Sequence, residues 1–244
     1  MLYPENLLLI DIETVPLYKD YTDLHENMQR LWDKKSQLIA SEQTDSQRTF
    51  AERAGIYAEF GKIICIGLGY FVKNKIADKT DNTYSLKIKS IFGDDEKEIL
   101  HQFGVVCNKF FRNDYKQFCG HNIREFDIPY ICRRSYINQI PLPDILMNLQ
   151  NKKPWENPML DTLQFWKFGE YKNFTSIDLL SNVLGIESPK DDIDGSDVAA
   201  VYWHQNDLTR IVNYCNKDVV TVAQVLMRLN GMPLLSENEI TFVD

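Results

Sequence analysis

The sequence predicts an α/β domain, because aliphatic runs of strand length alternate along the chain with stretches in which apolar residues recur every three or four positions. Three runs carry the strand side of that prediction. Residues 7–15 (LLLIDIETV) are almost continuously aliphatic, as in a strand covered on both faces. Residues 62–72 form a second such run, and Tyr84 to Phe92 alternates apolar with polar side chains. The helical counterpart is clearest where Ile99, Leu100, Phe103, Val106, Cys107, Phe110 and Phe111 fall on one face, behind Asp94 and Asp95 at its first turn.

Between the first two strands, residues 17–60 are too long for a structureless loop in a compact domain and predict a helical insertion. Leu24, Met28, Leu31, Trp32, Leu38 and Ile39 fit its apolar stripe, and Phe50, Tyr57 and Phe60 follow. Lys34 and Lys35 adjoin Trp32, which makes this stripe a candidate substrate or partner surface, although its ordinary periodicity favours packing onto the chain's own core. Further on, 117–122 (QFCGHN) is a short strand that ends in turn residues, and Pro129 is placed to start a helix through Arg134. Thr175-x-x-Asp178 precedes LLSNVLG, with Gly185 as its stop. Asp207 caps a long periodic helix that runs to about Leu229.

Composition removes several classes of function. Of the 244 residues 44% are apolar and 25% charged, which is globular and not disordered. The longest apolar run, Ile63 to Val72, contains Gly67 and Gly69 and is far short of the roughly 20 residues that span a bilayer, so no membrane partner is expected. The first residues carry no basic region before the apolar ones, and the expected location is cytoplasmic. The five cysteines have no CxxC spacing and read as reduced core thiols. With 27 basic against 35 acidic residues the net charge is −8, so bulk attraction cannot hold nucleic acid, and a phosphate ligand needs bound cations or a local basic strip.

Four carboxylates stand out against this background. Asp11 and Glu13 lie two apart on the first strand and therefore project to the same side. Each also fits the exposed end of a strand. Asp218 follows Tyr214 by four residues, on the flank of the stripe Ile211, Cys215, Val219, Val222 and Leu226, where an ionised carboxylate needs a partner. An Asp swung out to solvent is the alternative. Asp127, near a helix start, has helix capping as its ordinary role. Taken together, four hard oxygen ligands from separate elements suit Mg²⁺ or Mn²⁺ better than zinc.

DIET at 11–14, HNIREFDIP at 121–129 and YCNKD at 214–218, in that order, resemble the three motifs of the DEDD exonucleases, in the subgroup whose third motif is Tyr-x-x-x-Asp. LDTL at 160–163 and DGSDV at 194–198 extend the resemblance to free-standing bacterial exonucleases related to the proofreading domain of family B DNA polymerases. The resemblance implies a ribonuclease H-like fold, with a mixed five-stranded sheet flanked by helices and the helical insertion after the first strand, in one domain over 1–244. It implies hydrolysis of terminal phosphodiesters in the 3′-to-5′ direction. Asp11, Glu13, Asp127 and Asp218 would hold two divalent cations, Mg²⁺ or Mn²⁺, and Tyr214 would orient the attacking water. Thr14 and Asn122 would touch the terminal nucleotide. The expected partner is a nucleic acid 3′ end, single-stranded DNA ahead of RNA. An exoribonuclease, or a nucleic-acid-binding or partner-binding module with little activity, are the other readings. His121 is expected to be packed or exposed and not catalytic, and Asp161 to be structural or to support the site from behind.

Overall fold

The computed structural model describes residues 2–39, 45–74, 83–112, 115–153, 156–187 and 192–243. In chain order, β1 (Leu7–Pro16) leads into the insertion helices α1 (Glu26–Ile39) and α2 (Ser46–Arg53). β2 (Gly61–Asn74), β3 (Thr83–Phe92), α3 (Glu96–Phe110) and β4 (Gln117–Gly120) follow. α4 (Asp127–Asn138), β5 (Met159–Asp161), α5 (Thr162–Lys167) and α6 (Ile177–Val183) come next. The chain closes with α7 (Val198–Ala200), which runs on as a π turn, then α8 (Leu208–Leu229) and β6 (Ile240–Phe242).

The α/β fold is as expected, with one correction: the mixed sheet has six strands, ordered β5-β4-β1-β2-β3-β6. β1, β2 and β3 form an antiparallel meander, while β4 runs parallel to β1, β5 to β4, and β6 to β3. The sixth strand, β6, is three residues pairing with Leu86 to Ile88, too short for any periodic signal. Two smaller boundaries also differ. α4 starts at Asp127, with Pro129 inside its first turn where a missing N–H is harmless, and the cap of α6 is Ser176, which accepts from Leu179 N.

The insertion builds its own small core. Trp32 is fully buried, its ring edge-on to Phe50 at 5.4 Å and Phe60 at 5.0 Å, and its Nε1 donates to the Ser46 carbonyl at 2.9 Å. Of the two readings of the stripe, Trp32 follows the packed one, which its ordinary periodicity favours. Leu31 and Leu38 leave the expected stripe and lie exposed, because the buried face of α1 follows Met28, Trp32 and Ser36 at a four-residue step.

The sheet is covered on both faces, and β1 shows how. Leu8, Ile10 and Ile12 pack with Ile99, Leu100 and Phe103 of α3 and with Ile128 and Ile131 of α4. Leu7 and Leu9 pack with Val219, Val222 and Leu226 of α8. Helix α8 lies unusually close to β2 because of two glycines. A Cβ at Gly67 would stand 2.8 Å from Cys215 Sγ and 2.9 Å from Val219 Cγ2, and one at Gly69 2.8 Å from Val219 Cγ1. Gly67→Ala therefore overpacks this seam and is expected to lower stability by about 1–3 kcal/mol, read from urea unfolding. An unchanged midpoint would mean that α8 has slack against the sheet.

Candidate active site

Because alternate residues of β1 face opposite sides, Asp11 and Glu13 continue the series of Leu7 and Leu9 and point toward α8. The register between β1 and β2 slips just here: Glu13 pairs with Cys65 and Thr14 with Ile63, leaving Ile64 unmatched. Such a bulge sharpens the local twist and re-aims the neighbouring side chains. From α8, Cys215 reaches the same place, and one oxygen each of Asp11 and Glu13 lies with the Cys215 sulfur in a group spanning no more than 4.8 Å. The Cys215 thiol donates to the Asp11 backbone carbonyl at 3.7 Å. Burial pushes that thiol far up, so it remains neutral.

Asp218 lies one turn beyond Tyr214 and Cys215 on α8, where its carboxylate acts on the Tyr214 hydroxyl. Burial, with the charges of Asp218, Glu13 and Asp11, pushes the Tyr214 phenol well above its ordinary range. Asp127 opens α4 and accepts from Ile12 N at 3.1 Å. The pairing of β1 with β4 stops at Leu9, so the Asp127 carboxylate serves a backbone N–H beyond the end of that ladder.

The electrostatics of the cluster all run one way. The Asp11 carboxyl is raised well above the usual range, first by burial and then by Asp218 and Asp127. Burial raises Glu13 in the same manner, with Asp11 and Asp218 adding to it. Burial lifts Asp127 to about 7, although the backbone N–H groups that donate to it pull the other way. Glu13 and Asp127 are 7% and 4% exposed, so neither is the solvated strand end or helix cap that each alone could have been. Asp11 Oδ2 is buried with no hydrogen-bond partner. A desolvated carboxylate oxygen without a donor fits a cation ligand, and the donor set of hard oxygens suits Mg²⁺ or Mn²⁺.

The remaining expected residues divide. Thr14, half-buried, lines the cleft beside Glu13, near Tyr130, whose hydroxyl donates to the Gly55 carbonyl at 2.7 Å. Asn122 adopts a left-handed conformation (φ 64°), and its side-chain oxygen is buried without a partner. Among the described residues no hydrogen bond joins Asn122 to Asp11, Glu13, Asp127 or Asp218. His121 is packed as expected: its Nε2 donates to the Thr175 carbonyl at 2.7 Å, and its Nδ1 lies 2.9 Å from Thr162 Oγ1. Asp161 is structural, accepting from Asn122 N, Arg124 N and Leu163 N at 2.9–3.0 Å. One carboxylate thus holds the loop that leads to Asp127.

Sequence reasoning missed a second support. Glu96 Oε1 accepts from Ile63 N at 2.7 Å, beside the bulge, and the Glu96 carboxylate pairs with Arg134 of α4, which also donates to the Ala58 carbonyl at 2.9 Å. This buried pair ties the bulged part of β2 to the helix that Asp127 opens. The only sequence signal is an Arg on the inner face of a helix, which has no partner until the fold is known.

A family model of the RNase H superfamily matches residues 51–230. That span contains Asp127, Tyr214 and Asp218 and begins after Asp11 and Glu13. Among solved structures, the chain is similar to the family B DNA polymerase of the hyperthermophilic archaeon Pyrobaculum calidifontis, with a TM-score of 0.53 and 15% identity, over 91% of this chain and 24% of that one. The likeness is one of fold, and the chain spans about a quarter of the polymerase's length. The comparison with curated proteins returned no match.

The raised carboxyls set a pH dependence with a definite sign. The folded state keeps protons on Asp11, Glu13 and Asp127 that the unfolded chain releases near pH 4, so stability is full below that and is lost as pH rises through about 7, where Asp127 titrates. Without metal, the thermal midpoint should therefore fall between about pH 4 and 7. Asp11→Asn removes one of the repelling charges and should raise the midpoint at the upper end while weakening stabilisation by added Mn²⁺. A flat profile, or an Asp11→Asn midpoint below the wild type's at neutral pH without metal, would show that the carboxylates do not repel one another.

Proposed function

The chain belongs to the RNase H superfamily, and on that premise we propose that it is a metal-dependent 3′-to-5′ exonuclease acting on single-stranded DNA. The observation that carries this reading is the convergence of Asp11, Glu13, Asp127 and Asp218, three of them with raised carboxyls, around a buried oxygen that has no donor. These four residues would hold two divalent cations. When bound, such a pair activates a water and stabilises the leaving 3′ oxygen. The 3′-to-5′ direction rests on the Tyr-x-x-x-Asp resemblance.

The chain's own side chains do the rest. Tyr214 stays a protonated phenol throughout the neutral range, so it acts by hydrogen bonding, and its place against Asp218 lets it aim the attacking water. The cleft beside Glu13, of ≈ 260 Å³, is lined by Thr14, Phe126, Gly195 and Ser196 among others, which brings the DGSDV segment to the site. An unpaired end is the substrate that the motif resemblance favours.

The test follows a 5′-labelled strand with Mn²⁺, Mg²⁺ or EDTA. Stepwise shortening from the 3′ end that stops in chelator is expected, and cutting of a circular single strand would contradict the exonuclease reading. An RNA strand consumed faster than DNA would move the substrate class. In the same assay Tyr214→Phe should slow turnover by about 10²- to 10⁴-fold with Mn²⁺ affinity kept, because an orienting group is lost and no ligand is. Unchanged turnover would reject the water-aiming role.

A further inference from the structure

Residues 165–174 (FWKFGEYKNF) hold five aromatic side chains in ten positions, against 12% aromatic for the whole chain, and the fold leaves all five in solvent. Phe168 is 92% exposed and Tyr171 95%, while Phe165, Trp166 and Phe174 are between 37% and 64%. Burying even one such ring gains roughly 1.5–3 kcal/mol, so a fold that exposes a run of them has a use for the faces. Helix α5 ends at Lys167, and Phe168 and Gly169 both turn left-handed (φ 46° and 88°), which carries the chain out into solvent instead of back onto the sheet.

Two more observations say what covers the segment. Lys167 and Lys172 are interleaved with the rings, and neither forms an ion pair among the described residues. The segment's only acid, Glu170, accepts from Asn173 Nδ2 at 2.5 Å. Two lysines against Glu170 leave the segment with a local excess of one positive charge in a chain of net charge −8, which suits phosphates spaced along a strand. The segment is also continuous with the site. His121 donates to the Thr175 carbonyl at 2.7 Å and its ring meets Phe174 edge-on at 6.4 Å, and His121 belongs to the loop that Asp161 holds in front of Asp127.

We propose that residues 165–174 are a stacking track for the bases upstream of the 3′ end, with Lys167 and Lys172 following the phosphates. It rests on the reading of the chain as a nuclease and adds where the strand runs. Bases of any sequence stack on such rings, so the track gives length dependence without sequence preference.

The experiment compares wild type with Phe168→Ala/Tyr171→Ala, two side chains so exposed that their removal leaves the core intact. With Mn²⁺, kcat/KM is measured on a dinucleotide and on an oligothymidine of about 16 nucleotides; anisotropy of the labelled oligothymidine in EDTA reads binding without turnover. The double variant should match wild type on the dinucleotide and lose about 100-fold on the long strand, about tenfold for each ring, with the same loss in affinity. Phe168→Trp/Tyr171→Trp should restore both. Equal behaviour on the long strand overturns the proposal, as does an equal loss on both substrates, which would make the segment a prop for the site. If wild type cleaves neither substrate the nuclease reading fails, and the anisotropy alone then decides the track. Loss of self-association or of binding to anionic vesicles in the double variant, with strand affinity unchanged, would assign the surface to another occupant and also overturn it.

Discussion

Glu13 and Asp127 are buried beside a half-buried Asp11, without an ion pair to any Lys or Arg among the described residues, and most of the surrounding structure can be understood as holding them there. Left to themselves, such groups would separate or draw water in, since desolvation and mutual repulsion both oppose the charged form. They are prevented by rigid attachments on every side. Asp11 and Glu13 are fixed by the central strand of a six-stranded sheet, Asp127 by its bond to Ile12 N, and Asp218 by a helix packed against glycines of β2. The fold thus holds these groups together against that cost, and in the two-metal reading bound cations would offset it.

The buried Glu96–Arg134 pair belongs to the same scheme. An internal ion pair of this kind adds little net stability over an apolar substitute, yet breaking it by removing one partner costs about 3–5 kcal/mol. Its value here is geometric. Glu96 receives Ile63 N beside the bulge while Arg134 lies two turns into α4, so the pair keeps the strand irregularity and the helix start in register. Asp161 does the corresponding task for the loop from Asn122 to Arg124 with three backbone donors to one carboxylate.

Periodicity made part of the candidate site legible in the sequence, and the motif resemblance joined its four carboxylates. The two-residue step from Asp11 to Glu13 on an aliphatic strand, and the place of Asp218 on the flank of an apolar helix stripe, each put a carboxylate where it needs a partner. What was not legible depends on contacts distant in the chain. β6 is three residues whose only reason to be extended is the open edge of β3. The bulge at Ile64 leaves no mark in composition, and the function of Gly67 emerges only once Cys215 is laid over it. Leu31 and Leu38 matched a helical stripe by spacing alone, and the true buried face of α1 was decided by Phe50 and Phe60 arriving from beyond it. Asn122 and Thr14 are intermediate: their local settings are clear, and their contact with a substrate is not something either setting dictates.

The most direct measurement of the central claim is Mn²⁺ binding to the full chain, counted by titration and followed by electron paramagnetic resonance. Two ions per chain are expected, with the spin coupling that a pair about 4 Å apart must show, and Asp11→Asn should abolish the coupling. A single uncoupled ion at saturation, or no bound ion at all, would contradict the reading of Asp11, Glu13, Asp127 and Asp218 as one two-metal site.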